Sequence, residues 1–146
     1  MDKKFMQRAI ELAKIAGNEG EVPVGAVIVK NGEIIGEGYN MREQKQNPLS
    51  HAEIESINNA AKKIGCWRLE DCELYVTLEP CPMCTGAIIN SRIKTVIFGA
   101  YDKNAGSMDS VINLCDYPYN HKVEIYGGIC EDQCKEILQN FFQNLR

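Results

Sequence analysis
Hydrophobic and polar positions follow two rhythms along this chain. Phe5, Met6, Ala9, Ile10, Leu12, Ala13 and Ala16 recur at helical spacing, and Gly17 supplies a stop. Val22 to Val29 is apolar and β-branched. Asn31-Gly32 follows, then Ile34, Ile35 and Tyr39, so the pattern predicts two strands around a tight Asn-Gly turn. The polar stretch from Met41 to Leu49, with Pro48 inside it, predicts a loop. A helix is expected from Ser50 to about Ile64, with Ile54, Ile57, Ala60, Ala61 and Ile64 on one face and Gly65 as its end. Leu74 to Leu78 reads as a strand stopped by Glu79-Pro80, and Pro82 suits the first turn of a helix to Ser91. Thr95 to Phe98 and Val123 to Tyr126 read as strands, Tyr101 to Tyr119 as irregular, and Glu131 to Leu145 as an amphipathic helix. This order implies one α/β domain over residues 1–146 with a mixed sheet. The strands near 74–78 and 94–98 are expected to be parallel, with a right-handed crossover.

Composition narrows the class. The chain has 146 residues, 45% hydrophobic and 25% charged, which excludes a disordered, collagenous or disulfide-miniprotein chain. Its seven cysteines are an odd number, so they cannot all pair within the chain. The segment Met1–Lys14 is charged and periodic, unlike a secretory signal. No apolar run approaches the ~20 residues of a membrane span. The expectation is a reduced, cytoplasmic protein with no membrane association. Sixteen Lys and Arg stand against twenty Asp and Glu, a net charge of −4, which at first argues against a nucleic-acid partner.

Candidate chemistry changes that picture. His51-Ala52-Glu53 and Pro80-Cys81-Pro82-Met83-Cys84 each sit at an expected helix start. Helix starts carry unpaired N–H groups and partial positive charge, which favours thiolate over thiol. Cys81 and Cys84 lie one turn apart, so both sulfurs face one side. With the imidazole of His51 they make three nitrogen and sulfur ligands. Such a set suits zinc and leaves a fourth position for water, the mark of a catalytic site. Zinc would bring that water to a pKa of ~7. Glu53 is placed to reach toward the water without being a ligand.

Other readings of the same residues stay open at this level. Ser50-x-x-Glu53 fits a capping box, which would make Glu53 structural. A lone C-x-x-C also fits a redox pair or half of a closed zinc site, with His121 as a further ligand. Cys66, Cys72, Cys115, Cys130 and Cys134 show no partner pattern, and Cys130 and Cys134 suit core packing. Trp67 reads as a core or interface anchor. Ile137, Leu138, Phe141 and Phe142 read mainly as core, with Phe142 also a candidate stacking surface.

H-x-E followed by P-C-x-x-C is the signature of zinc deaminases, and both halves are present. Beyond them the chain resembles the bacterial tRNA adenosine deaminases over nearly its whole length. The similar stretches are Glu21–Val27 (EVPVGAV), Gly36–Asn40 (GEGYN), Asn47–Ile54 (NPLSHAEI), Leu74–Ile88 (LYVTLEPCPMCTGAI), Ser91–Ile93, Phe98–Asp102 (FGAYD), Asn120–Ile125 (NHKVEI) and Phe141-Phe142. The resemblance implies a three-layer α/β/α, cytidine-deaminase-like fold with a mixed five-stranded sheet flanked by helices. It implies a homodimer with one Zn2+ per subunit, held by His51, Cys81 and Cys84. It implies hydrolytic deamination of wobble adenosine 34 to inosine in a tRNA anticodon stem-loop, with Glu53 as the catalytic proton carrier. Asn40, Val22 and the backbone around Ala26 would contact the flipped nucleoside, and Asp102, Asn120 and Phe142 would lie near the RNA loop. The alternatives are a free-base or nucleoside deaminase of guanine or cytosine type, or a non-catalytic zinc and RNA-binding module.

The net charge then weighs less against RNA. Residues 42–103, which carry both motifs, hold equal numbers of basic and acidic side chains. Lys62, Lys63, Arg68, Arg92, Lys94 and Lys103 would suffice for a local basic face that the global sum hides. RNA binding is therefore expected to rest on a few phosphate contacts. A titration of affinity against salt should give a shallower slope than a strongly basic binder shows, and a steep slope would refute this charge layout.

Overall fold
A computed structural model of the chain describes residues 1–145. Helix α1 (Lys3–Asn18) leads into a hairpin of β1 (Gly25–Lys30) and β2 (Glu33–Tyr39). Asn31 and Gly32 both have positive φ, 53° and 76°, as the tight Asn-Gly hairpin turn requires. A short helix α2 (Arg42–Lys45) precedes α3 (Ala52–Ile64), β3 (Cys72–Leu78), α4 (Pro82–Ser91) and β4 (Thr95–Ala100). A 3₁₀ turn (Leu114–Asp116), β5 (Glu124–Tyr126) and α5 (Glu131–Asn144) complete the chain.

The five strands lie in the order β2-β1-β3-β4-β5. β1 is antiparallel to β2 and to β3, whereas β3, β4 and β5 are parallel. The sheet is therefore mixed, and β3 and β4 run parallel as the sequence pattern implied. Its two faces bury separate cores. Ala26, Ile28, Leu74, Val76, Val96 and Phe98 pack on one face with residues of α3 and α4. Val27, Val29, Tyr75 and Ile97 pack on the other with α1 and Cys134 of α5. The alternation along each strand thus produces three layers, helices–sheet–helices.

Several expectations need correction. The Met41–Leu49 stretch is not all loop, because buried Glu21 caps the first turn of α2 by accepting from the Glu43 and Gln44 N–H groups at 3.0 and 2.8 Å. Helix α3 starts at Ala52, not Ser50, and His51 is its extended N-cap. Ser50 thus lies before the cap, and no capping box forms. The buried line of α3 is Ala52, Glu53, Ser56 and Ala60, while Ile57 and Ile64 are only partly buried. Strand β1 starts at Gly25, because Pro23 has no N–H for a ladder. Trp67 is not core: it is 58% exposed, with the Arg68 and Arg92 guanidiniums 4.8 and 5.8 Å from its ring. On α5 only Cys134 is fully buried. Ile137, Leu138 and Phe141 are partly buried and Phe142 is exposed, so that stripe is a margin of the core. Among the described residues no helix is long and apolar enough to cross a membrane.

Helix α3 lies directly on β2. A Cβ at Gly36 would come within 2.5 Å of the Ser56 carbonyl oxygen, and one at Gly38 within 2.5 Å of the Ser56 nitrogen. These backbone atoms cannot step aside without moving the helix. Gly36→Ala is therefore expected to cost about 1–3 kcal/mol of stability by overpacking. Urea unfolding should show this as a lower midpoint at unchanged slope.

Candidate active site
Four strand ends meet at one edge of the sheet: the start of β1 and the carboxyl ends of β2, β3 and β4. Ligand crevices in α/β sheets form at such carboxyl ends. The N-termini of α3 and α4 point into this edge. Their N-cap residues are His51 and Cys81, and neither side chain caps its own helix. Each is free to turn toward the other.

They do so together with Cys84, from the first turn of α4. The His51 Nδ1 lies 3.7 Å from the Cys81 sulfur and 3.5 Å from the Cys84 sulfur. One ligand atom from each of the three residues falls within a group no more than 4.8 Å across. The imidazole therefore presents Nδ1 to the two thiols. His121 is elsewhere, with its Nε2 2.6 Å from the Ile93 carbonyl oxygen, so it does not complete this set. Nitrogen and sulfur donors at this spacing fit a zinc-type ion, and three of them leave a position open.

The electrostatics of the cluster are uneven. Hydrogen bonding from Cys84, with a further contribution from His51, lowers Cys81 to about 4, so it holds the negative charge. Cys84 is held protonated by its bond to Cys81 and by burial. The Cys81 thiolate in turn raises His51. Glu53, only 4% exposed, is pushed up to about 7 by burial. It sits on the same helix turn as His51 and stays outside the ligand group.

A cavity of about 170 Å³ opens beside these groups. Val22, Val24, Asn40, Arg42, His51, Glu53, Leu78, Glu79, Cys81, Asp102 and Ala105 contribute to its wall. The expected residues Val22, Asn40 and Asp102 are thus brought to the chemical centre. Ala26 is fully buried in β1, and it packs in the core below the cavity rather than on its wall. Asn120 and Phe142 are exposed and do not line the cavity. The Asn40 amide donates to the Val22 carbonyl at 3.2 Å and accepts from the Arg42 N–H at 3.1 Å. One Asp102 oxygen accepts from the N–H groups of Asn104 and Ala105, which shapes its own turn.

Sequence reasoning missed two contributors. Arg42 reaches the cavity because Glu21 and Asn40 fix the start of α2. Glu79 is 2% exposed and ties down residues 102–110. Burial alone would raise its pKa, but the Ser110 hydroxyl and the loop amides outweigh it and hold the carboxylate below its usual range. A charged residue at the end of an apolar strand is the local signal that Glu79 leaves.

Comparison with known proteins agrees with this geometry. A family described as MafB19-like deaminase matches residues 1–146. The chain is 47% identical to a tRNA-specific adenosine deaminase of Bacillus subtilis strain 168, over 99% of this chain and 91% of that one. A solved structure from studies of A-to-I editing by tRNA:A34 deaminases superposes with a TM-score of 0.91 at 38% identity, covering 94% of this chain and all of the other. A guanine deaminase from Bacillus subtilis gives a TM-score of 0.66 at 34% identity, covering 82% and 88%.

The raised Glu53 makes a signed prediction for the metal-free protein. Below its ordinary 4.5 the carboxyl is neutral whether folded or unfolded, and burial costs nothing extra. The penalty grows as pH rises and is complete above about 7. Glu53→Gln should then be more stable than the wild type near pH 8, by roughly 2–4 kcal/mol, and equal to it near pH 4. Chemical denaturation at the two pH values measures the difference.

Proposed function
Since the chain belongs to the MafB19-like deaminase family, we infer that it is a tRNA-specific adenosine deaminase. It converts adenosine to inosine at the wobble position, 34, of a tRNA anticodon. The observation that carries this reading is the meeting of His51, Cys81 and Cys84 beside buried Glu53, on the wall of a narrow cavity.

His51, Cys81 and Cys84 would hold one Zn2+ per subunit. When bound, zinc supplies Lewis acidity that makes a water nucleophilic near neutral pH. The reaction adds water across C6 of the adenine: a C6–O bond forms, the C6–N6 bond breaks and ammonia leaves. Glu53 handles the protons. It accepts one from the attacking water and places it on ring N1, then accepts the second from the new C6 hydroxyl and delivers it to the departing amine. Burial that holds its carboxyl near neutrality suits a group that must both take and give protons.

The cavity admits one base, so the nucleoside must be splayed from its stack, which costs less in an anticodon loop than in a duplex. Asn40 retains an N–H and a lone pair for the nucleoside, and Val22 gives an apolar wall, backed by the strand around Ala26. Asp102, Asn120 and Phe142 are proposed to meet the RNA loop outside the cavity. We further propose that residues 1–146 form one CMP/dCMP-type zinc deaminase domain, acting as a cytoplasmic homodimer. Similarity to a guanine deaminase keeps a free-base substrate as the second reading.

Incubation with an anticodon stem-loop bearing adenosine at the wobble position, followed by sequencing for inosine, tests the reading. No conversion by the zinc-loaded protein would refute it, and ammonia release from a panel of free bases and nucleosides would then identify the alternative. Glu53→Ala should keep its metal and lose at least about a hundredfold in turnover. Cys81→Ala should lose metal and turnover together, as metal analysis and the inosine assay would show. A Glu53→Ala variant that turns over normally would point to a different proton carrier.

A further inference from the structure
The loop after β4 is held over the cavity by one buried carboxylate. Glu79 lies at the carboxyl end of β3, two residues before Cys81, and is 2% exposed. Its Oε1 accepts from the Asp102 N–H at 3.1 Å, and its Oε2 from the N–H groups of Met108, Asp109 and Ser110 at 3.1, 2.8 and 2.9 Å. The Ser110 hydroxyl also donates to it. Five donors thus converge on one side chain from both ends of a single loop. Gly106 closes over the same group: a Cβ there would fall 2.4 Å from the Glu79 Cδ. The Ser107 N–H donates to the Pro80 carbonyl at 2.9 Å, beside the Cys81 ligand.

Two residues of this loop, Asp102 and Ala105, form part of the cavity wall. The loop is also anchored by Met108, which is buried in the core, and by the turn that Asp102 makes with Asn104 and Ala105. Yet Tyr101, Lys103, Asn104, Asp109 and Ser110 are exposed, and the Glu79 carboxylate ties together the two ends of the loop. Its shape is set by backbone N–H groups that need an acceptor away from water. A charged acceptor strengthens each of those bonds.

We propose that Glu79 is a positioning residue for substrate: it fixes the 102–110 loop as the wall against which the nucleoside and its flanking RNA are held. Glu79 stands on the cavity wall, but both its carboxylate oxygens are taken by donors of the loop, so its effect passes through the loop to binding. This rests on the deaminase reading above. The groups that carry the chemistry sit on α3 and α4, so loosening the loop should weaken binding more than turnover.

The test is Glu79→Gln, which keeps the size but removes the charge and one acceptor oxygen, with Ser110→Ala as a milder variant remote from the metal ligands. Metal content is measured first. Steady-state kinetics on the anticodon stem-loop should then show KM raised about tenfold or more for Glu79→Gln and about two- to threefold for Ser110→Ala, with kcat within a few-fold of wild type. Hydrogen exchange should rise at residues 102–110 and stay unchanged across α4. Unchanged exchange in the loop, or an unchanged KM, overturns the proposal, as does a fall in kcat alone at full metal content. Should Glu79→Gln fail to fold, the KM of Ser110→Ala decides. If the wild type makes no inosine in the stem-loop, the deaminase reading falls, and hydrogen exchange alone judges the clamp.

Discussion
Two helices have to begin within reach of one imidazole and two thiols, and much of this fold serves that meeting. Helix N-termini normally spend their N-cap side chains on their own N–H groups. Here α3 and α4 spend theirs on each other, through His51 and Cys81. The sheet makes this possible. Parallel β3 and β4 flank the crossover through α4, and α3 is pinned on β2 by contacts that only glycine permits. The same arrangement places Glu53 where water is scarce, and burial does the rest of its tuning.

The ligands and the proton carrier were legible because their chemistry is local. His51 and Glu53 share a turn, as do Cys81 and Cys84, and each pair sits at a helix start the pattern could place. The hairpin was legible for the same reason, since Asn31-Gly32 fixes its turn. What could not be read were features whose partners lie far along the chain. Glu79 serves amides 23 to 31 residues away, and Glu21 serves those of Glu43 and Gln44. Apolar periodicity also misplaced the buried face of α3. There Glu53 and Ser56 face inward because the helix is turned toward the site and toward the glycines of β2. For Trp67 the core half of its reading fails, since it lies at the surface flanked by two guanidiniums.

The acidic balance takes on a different meaning once the carboxylates are located. Glu21, Glu53 and Glu79 are all buried, and all three serve the neighbourhood of the cavity. Two tie backbone in place and one is suited to moving protons. Part of the excess negative charge is therefore internal architecture, and it says nothing about how the surface meets a polyanion. A composition total counts these groups as if solvent saw them.

The Asn31-Gly32 turn sits at the opposite end of the sheet from the cavity. That end carries the hairpin tip and the entries to β3 and β4, and none of the residues that gather around the ligands. The tip is exposed, and its positive φ angles are satisfied within two residues. The molecule is thus polarised along its strands, with chemistry at one pole and plain connectivity at the other. A peptide tag or fused module grafted at that far pole would leave the architecture of the catalytic pole intact.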